Sequence, residues 1–192
     1  RHSSSAASDV YKRQPEDIIK EVRIAHDAGV RHVRLGGMTD TYTYMAEGVQ
    51  ELEYPVPNPE PIARLLHGLR EDERLGILHT DNGNPSIIAE HLEPSEAITK
   101  TLIETLSDGA VLSFGLESAD PTVHEANWLN CDAEQLKTAI RLINKHGRKR
   151  GERGLPMLLP GLNFIAGLRG ETEASYDLNM DLLRDIRSEG LL

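Results

Sequence analysis

Cysteine, aromatic residues and long apolar runs are all scarce in this chain of 192 residues. There is one cysteine, Cys131, so no intramolecular disulfide can form, and a lone thiol suits a reducing compartment. Aromatics make up 4% of the chain, so the core has to be built from Leu, Ile, Val and Ala. No apolar run approaches the ~18 residues of a membrane-crossing helix, and no charged-then-apolar leader opens the chain. Excess positive charge is missing too. The net charge is −10, and the densest basic stretch is His146-Gly-Arg-Lys-Arg150, which argues against a large nucleic-acid footprint. These features together predict a cytoplasmic protein without a membrane anchor.

What is present is an alternation of short apolar runs with amphipathic stretches. Residues 1–14 are polar and aperiodic; they read as a non-native or disordered, tag-like tract and are set aside. Residues 15–192 are expected to form one domain. Pro15 opens a helix to residue 28, with Glu16 and Asp17 in its first turn and Gly29 just past its end. Strands are expected over 30–35, 75–79, 110–116 and 162–168. Helices are expected from about Pro59, over 86–93, from Pro94, over 121–126, after Asp132 and over 174–186. The last should bury Tyr176, Met180, Leu183 and Ile186. Residues 42–61, with three tyrosines and four prolines, read as a loop over the strand ends. Gly190 reads as a helix cap and Leu191-Leu192 as the start of another strand, so the chain is expected to be an internal piece of a longer protein.

Strands alternating with helices predict an α/β fold with a parallel sheet and right-handed crossovers. In such a sheet all carboxyl ends point one way, and ligands bind there. Four polar or glycine-rich strand ends would therefore converge: Gly36-Gly37, Asp81-Asn82, Glu117-Ser118, and Asn163 through Gly167.

These strand ends resemble the radical S-adenosylmethionine (SAM) superfamily, in the core shared by its MiaB-, Elp3- and NifB-like groups. Leu35-Gly36-Gly37-Met38 falls where that family carries a Gly-Gly-Glu motif. Phe114-Gly-Leu-Glu-Ser118 resembles its fourth strand end, and Ile165-Ala-Gly-Leu-Arg-Gly-Glu-Thr172 its GxIxGxxE motif. The resemblance implies a partial (β/α) barrel of the radical SAM type, truncated at both ends, with four parallel strands (the second to fifth of that barrel) and helices outside. It implies that Gly36 and Gly37 approach the methionine amino group of SAM. Glu117 and Ser118 would bond its ribose or amino-acid part, and the Ile165 backbone its adenine, with Gly167 shaping the turn. Asp81, Asn82 and Asn163 are added from their positions on the strand ends.

Met38 stands where the motif usually has Glu. The CxxxCxxC loop that holds the family's 4Fe–4S cluster is absent, and three cysteines cannot be supplied by Cys131 alone. Those cysteines are expected upstream of Pro15 in a parent protein. The parent would use the reduced cluster, fed by an electron donor, to cleave SAM to methionine and a 5′-deoxyadenosyl radical. Its substrate, whether tRNA, protein or small molecule, is unspecified. This fragment alone is expected to be inactive, with no catalytic residue or metal ligand of its own.

Two other readings stay open. A non-radical (βα)-barrel enzyme would use His79, Asp81, His91 and Glu117 as metal ligands. A degenerate barrel serving as a binding module would use the 42–54 tyrosines and the basic 148–153 loop as its contact surface.

Overall fold

A computed structural model describes residues 13–38, 40–49 and 51–191. Most of the set-aside tract (residues 1–12) and Leu192 lie outside the described residues. Helix α1 spans Pro15–Asp27, and strand β1 Val33–Leu35. Helix α2 covers Pro59–Arg70; strands β2 and β3 are Leu78–Thr80 and Asn82–Gly83. Helices α3 (Pro85–Glu90) and α4 (Leu92–Thr105) precede strand β4, Ala110–Glu117. Helices α5 (Pro121–Asn127) and α6 (Ala133–Gly147), strand β5 (Leu158–Phe164) and helix α7 (Glu173–Ser188) follow.

Helix starts follow a repeated local rule. Asn58, Asn84 and Asp120 each cap a helix whose next residue is proline, and each side chain accepts from the backbone N–H two residues on. Proline at the first helical position loses nothing, because that N–H has no partner inside the helix. Asp132 and Gln135 form a reciprocal capping box at 2.8 and 3.1 Å.

All strand pairs are parallel. Strand β1 pairs with β2 (Val33 opposite Leu78), β3 with β4 (Asn82 opposite Ser113), and β4 with β5 (Ala110 opposite Leu158). Only Asp81 separates β2 from β3, and its carbonyl accepts from Ser113 N at 2.8 Å. The chain thus changes neighbour at Asp81, which lets the four strand passes run side by side in chain order. Helices α1, α2, α4 and α6 pack each on the next, as expected when right-handed crossovers put every helix on one face.

The core lies between that helix layer and one face of the strands. Leu65, Leu66, Ile98, Leu102, Leu136 and Ile140 meet Leu78, Leu112, Phe114 and Leu116, all essentially without exposed surface. Each such side chain contributes roughly 1.5–3 kcal/mol of burial. Along β4 the alternation is strict: Ala110, Leu112, Phe114 and Leu116 are buried, whereas Ser113, Gly115 and Glu117 stay partly open on the other face.

Several expectations are corrected. The last apolar run forms its strand at Leu158–Phe164, four residues earlier than predicted. Proline and glycine at 160 and 161 do not break it: among the described residues β5 pairs on one side only, and an edge strand tolerates a missing N–H. Strand β1 is three residues long, and β2 starts later than predicted. Helix α7 is rotated by about one residue. Ser175, Leu182 and Ile186 are buried, while Tyr176 and Met180 are each 48% exposed. The cause is polar: Asn179 Oδ1 accepts from Ala119 N at 2.6 Å, and Ser175 Oγ donates to Asp120 at 2.6 Å.

Tyr42 and Tyr44 are fully buried rather than displayed on a surface loop. The Tyr42 hydroxyl lies 2.8 Å from Thr99 Oγ1, and that of Tyr44 donates to Arg13 O at 2.8 Å. They cannot serve as a contact surface. In the basic loop, Arg153 is tied to Asp108 at 2.6 Å.

Candidate functional site

The carboxyl ends of the strands enclose a polar cleft of about 230 Å³, lined by Asn82, Asn84, Ser113, Gly115, Glu117, Asn130 and Asn163 with Gly83 and Pro85. Three of the sequence-predicted residues, Asn82, Glu117 and Asn163, therefore share one space.

Glu117 is its central group. It has φ of +68°, one of three positive values among the described non-glycine residues. The ladder between β4 and β5 slips between Gly115 and Glu117, a bulge that re-aims the side chain. A left-handed residue with a Cβ costs roughly 1–2 kcal/mol, and such strain persists where the surroundings hold it. Here the Glu117 carbonyl accepts from Ile165 N at 2.9 Å, fixing the bulge to the next strand end. A Cβ on Gly115 would collide with Oε1 of Glu117, so the carboxyl lies over that glycine. Burial pushes the Glu117 carboxyl above its ordinary pKa, and the carboxylate makes no hydrogen bond among the described residues.

The other predicted residues do not line this cleft. Gly36 and Gly37 leave β1, Gly37 with φ of +79°. A Cβ on Gly36 would come within 2.9 Å of Asp81 Oδ2. Asp81 itself is paired with Arg34 and does not line the cleft. Ser118 is fully buried. Its hydroxyl accepts from Asp120 N at 3.2 Å and its carbonyl bonds the His124 ring, so it builds the turn into α5. Ile165 is 47% exposed and does not line the cleft. Gly167, with φ of +89°, donates its N–H to the Glu171 carboxylate, and Asn127 clasps the same loop through Arg169 N and O at 3.2 and 2.7 Å.

Sequence reasoning missed Ser113, Gly115 and Asn130 as lining residues. The period of two through Ser113, Gly115 and Glu117 was the available signal for the first two. It also missed Asp40, which is 5% exposed. One oxygen of Asp40 accepts from Tyr42 N at 3.1 Å and Asn84 N at 2.9 Å, tying the loop after β1 to the cleft wall. Its other oxygen, Oδ2, is buried with no partner among the described residues. Burial raises its pKa to about 6.

The metal reading is not supported. His91 Nε2 lies 3.0 Å from Tyr54 O, and among the described residues no three His, Cys, Asp or Glu side chains gather as a metal-holding group. Cys131 is buried, its thiol pushed up to about 12 by burial. A 4Fe–4S cluster needs several thiolates, so the residues described here do not fit one.

Comparison with known proteins decides the family, since residues 2–183 match the radical SAM superfamily. The chain belongs to the radical SAM superfamily. Enzymes of this superfamily typically use SAM and a 4Fe–4S cluster. The match extends into the first 14 residues, which sequence reading had set aside. The chain is 42% identical over 183 residues to an uncharacterized protein of Archaeoglobus fulgidus, covering 94% of this chain and 34% of that protein. It is 36% identical over 180 residues to an uncharacterized protein of Methanocaldococcus jannaschii, covering 94% of this chain and 33% of that one. It thus spans about a third of the length of these curated relatives. Among the described residues no helix is long and apolar enough to cross a membrane.

Two outcomes follow from this geometry. Glu117→Gly should raise the unfolding free energy by about 1 kcal/mol through relieved strain, while weakening whatever the cleft binds; a lower unfolding free energy would mean the bulge is not strained. Asp40 has a folded pKa above that of an unfolded aspartate, so the folded state holds the proton more tightly. Its contribution is most favourable below about pH 4 and is lost as pH rises to about 6. The loss is on the order of 3 kcal/mol. Asp40→Asn should flatten that part of the stability–pH curve in urea titrations, and an unchanged slope would contradict the assignment.

Proposed function

We propose that this chain is the SAM-holding part of a radical SAM enzyme of the MiaB-, Elp3- and NifB-like kind, folded as a partial (β/α) barrel. The observation that carries this reading is the convergence of Glu117, Asn163, Asn82 and Ser113 in one polar cleft at the carboxyl ends of parallel strands. Their donors and acceptors suit a ligand bearing hydroxyl and ammonium groups. At about 230 Å³ the cleft is smaller than a typical complete ligand pocket, roughly 300–1,000 Å³, and suits part of SAM, with the flanking loops meeting the rest.

In this reading Glu117 accepts from the ribose hydroxyls or the amino-acid end, and Asn163 and Asn82 bond the same polar part. Gly36 and Gly37 offer close backbone approach to the methionine amino group, since neither has a Cβ. The Ile165 backbone meets adenine, with Gly167 and its brace Glu171 setting the turn. Ser118 and Asp81 act indirectly, the first by building the turn into α5 and the second through its pairing with Arg34. Met38, where the family motif usually carries Glu, is buried in the core and offers no polar contact.

When bound, SAM would supply the 5′-deoxyadenosyl group from which the radical is made. The cluster, its electron donor and the substrate belong to the whole protein in this reading, with the cluster cysteines outside residues 15–192. The chain's own task is to bind and orient SAM.

Equilibrium dialysis with radiolabelled SAM tests this. The chain should bind SAM, and Glu117→Gln and Asn163→Ala should each weaken binding roughly tenfold with unchanged unfolding midpoints. Binding that is undetectable, or indifferent to both substitutions, would overturn the reading and leave a degenerate barrel that binds some other ligand.

A further inference from the structure

A cleft of about 480 Å³ lies at the other end of the sheet, where the strands begin. Of its lining residues, Gly76 and Ile77 precede β2, Ser107 and Asp108 precede β4, and Met157 precedes β5. One wall is a hairpin, in which Met157 N donates to Lys149 O and Gly151 N to Leu155 O, each at 2.8 Å. A Cβ on Gly151 would stand 2.6 Å from that of Asp108, so the hairpin is seated close against the turn before β4.

Two guanidinium groups are fastened to that turn. Arg70, the last residue of α2, donates to Thr105 O, to Ser107 Oγ at 2.9 Å and to Gly76 O at 3.0 Å. All three acceptors are neutral. Arg70 has no carboxylate partner among the described residues, and burial lowers its pKa. Arg153 donates to Asp108 Oδ1 at 2.6 Å and to the Asp108 carbonyl. Two consecutive residues, Ser107 and Asp108, therefore hold both guanidinium groups at one cleft. Arginine has five N–H donors. Among the described residues these bonds leave two unused on Arg70 and three on Arg153.

A charge withdrawn from water is normally paired, since its desolvation is otherwise uncompensated. Asp108 does this for Arg153, and a ligand oxyanion would do it for Arg70. Phosphate, with more acceptor oxygens than a carboxylate, suits two guanidinium groups better. Ile77, Leu106 and Met157 give the cleft an apolar wall as well. Its volume is that of a complete small-ligand pocket, roughly 300–1,000 Å³. Glu152 opposes an anion here, but it is exposed, and the neighbouring Arg148, Lys149 and Arg150 are exposed cations without an ion pair among the described residues. His79 reports the same field: burial, then Arg153, Arg34 and Arg70, hold its imidazole below the ordinary pKa.

We propose that this cleft binds a small phosphorylated molecule, its phosphate held by Arg70 and Arg153 and its apolar body against Ile77, Leu106 and Met157. The inference is independent of the SAM reading, because the two clefts share no lining residue.

Calorimetric titration of the full chain at fixed ionic strength tests it, with phenyl phosphate, inorganic phosphate, benzoate and phenol as probes. Phenyl phosphate should bind about tenfold more tightly than inorganic phosphate, through its buried ring, and about tenfold more tightly than benzoate. Arg70→Gln should weaken it about 10- to 100-fold. Glu152→Gln should tighten it about two- to fivefold. Glu152 is exposed and makes no hydrogen bond among the described residues, so this second variant decides alone if Arg70→Gln does not fold. Saturating SAM should leave phenyl phosphate binding unchanged.

Undetectable binding of phenyl phosphate would overturn the inference. So would benzoate or phenol binding as tightly, displacement by SAM, or an affinity indifferent to the substitutions. A single-stranded RNA oligonucleotide that binds with a steep loss in salt, while phenyl phosphate does not bind, would overturn it in favour of a polyanion surface along residues 148–150.

Discussion

At the end of the longest stretch of regular pairing, β4 slips by one residue against β5 and puts Glu117 into left-handed backbone. Everything at the candidate site depends on that slip. It turns a carboxylate that would continue the strand's alternation back over Gly115, into the space shared with Asn163 and Ser113. It also frees the Glu117 carbonyl to bind Ile165 N, which sets where β5 stops and the glycine turn begins. The strain of one residue is small beside the burial of Leu112, Phe114 and Leu116 immediately before it. Those three anchor β4 against the helix layer so firmly that its last residue can be held in a costly conformation.

The loops around this point are braced by polar side chains rather than by packing. Asp40 holds the turn after β1 to the start of α3, Asn127 clasps the turn after β5, and Asp120 joins α5 to α7 through Ser175. Each brace links two strand ends that neighbour the cleft. The site is therefore rigid where its walls meet, although its residues come from segments up to about 80 positions apart in the chain. The bracing carries a cost at Asp40, whose second oxygen is buried without a partner and whose proton is correspondingly hard to remove.

Most helices were legible in the sequence because their ends are written locally. Asn-Pro, Asp-Pro and the Asp132–Gln135 pair announce the starts, and Gly29 and Gly190 the stops. The strands were less legible. β5 was placed four residues late because Pro160 and Gly161 look like breakers, and nothing in a sequence says that a strand lies on an edge. The inner face of α7 was misjudged because Ser175 and Asn179 are buried by hydrogen bonds to a distant turn, and apolar counting cannot see that. The site itself was half legible. Glu117, Asn82 and Asn163 could be named from strand-end position alone. Ser118 and Asp81 could not be told from them, because their side chains are diverted by one local turn and one partner, Arg34.

A crystal structure of the chain with SAM tests the central claim most directly. The account predicts density for the ligand against Glu117 and Asn163, with its amino-acid end toward Gly36-Gly37 and its adenine toward Ile165. Density at the opposite end of the sheet, in the cleft of about 480 Å³ between Arg70 and Arg153, would contradict it.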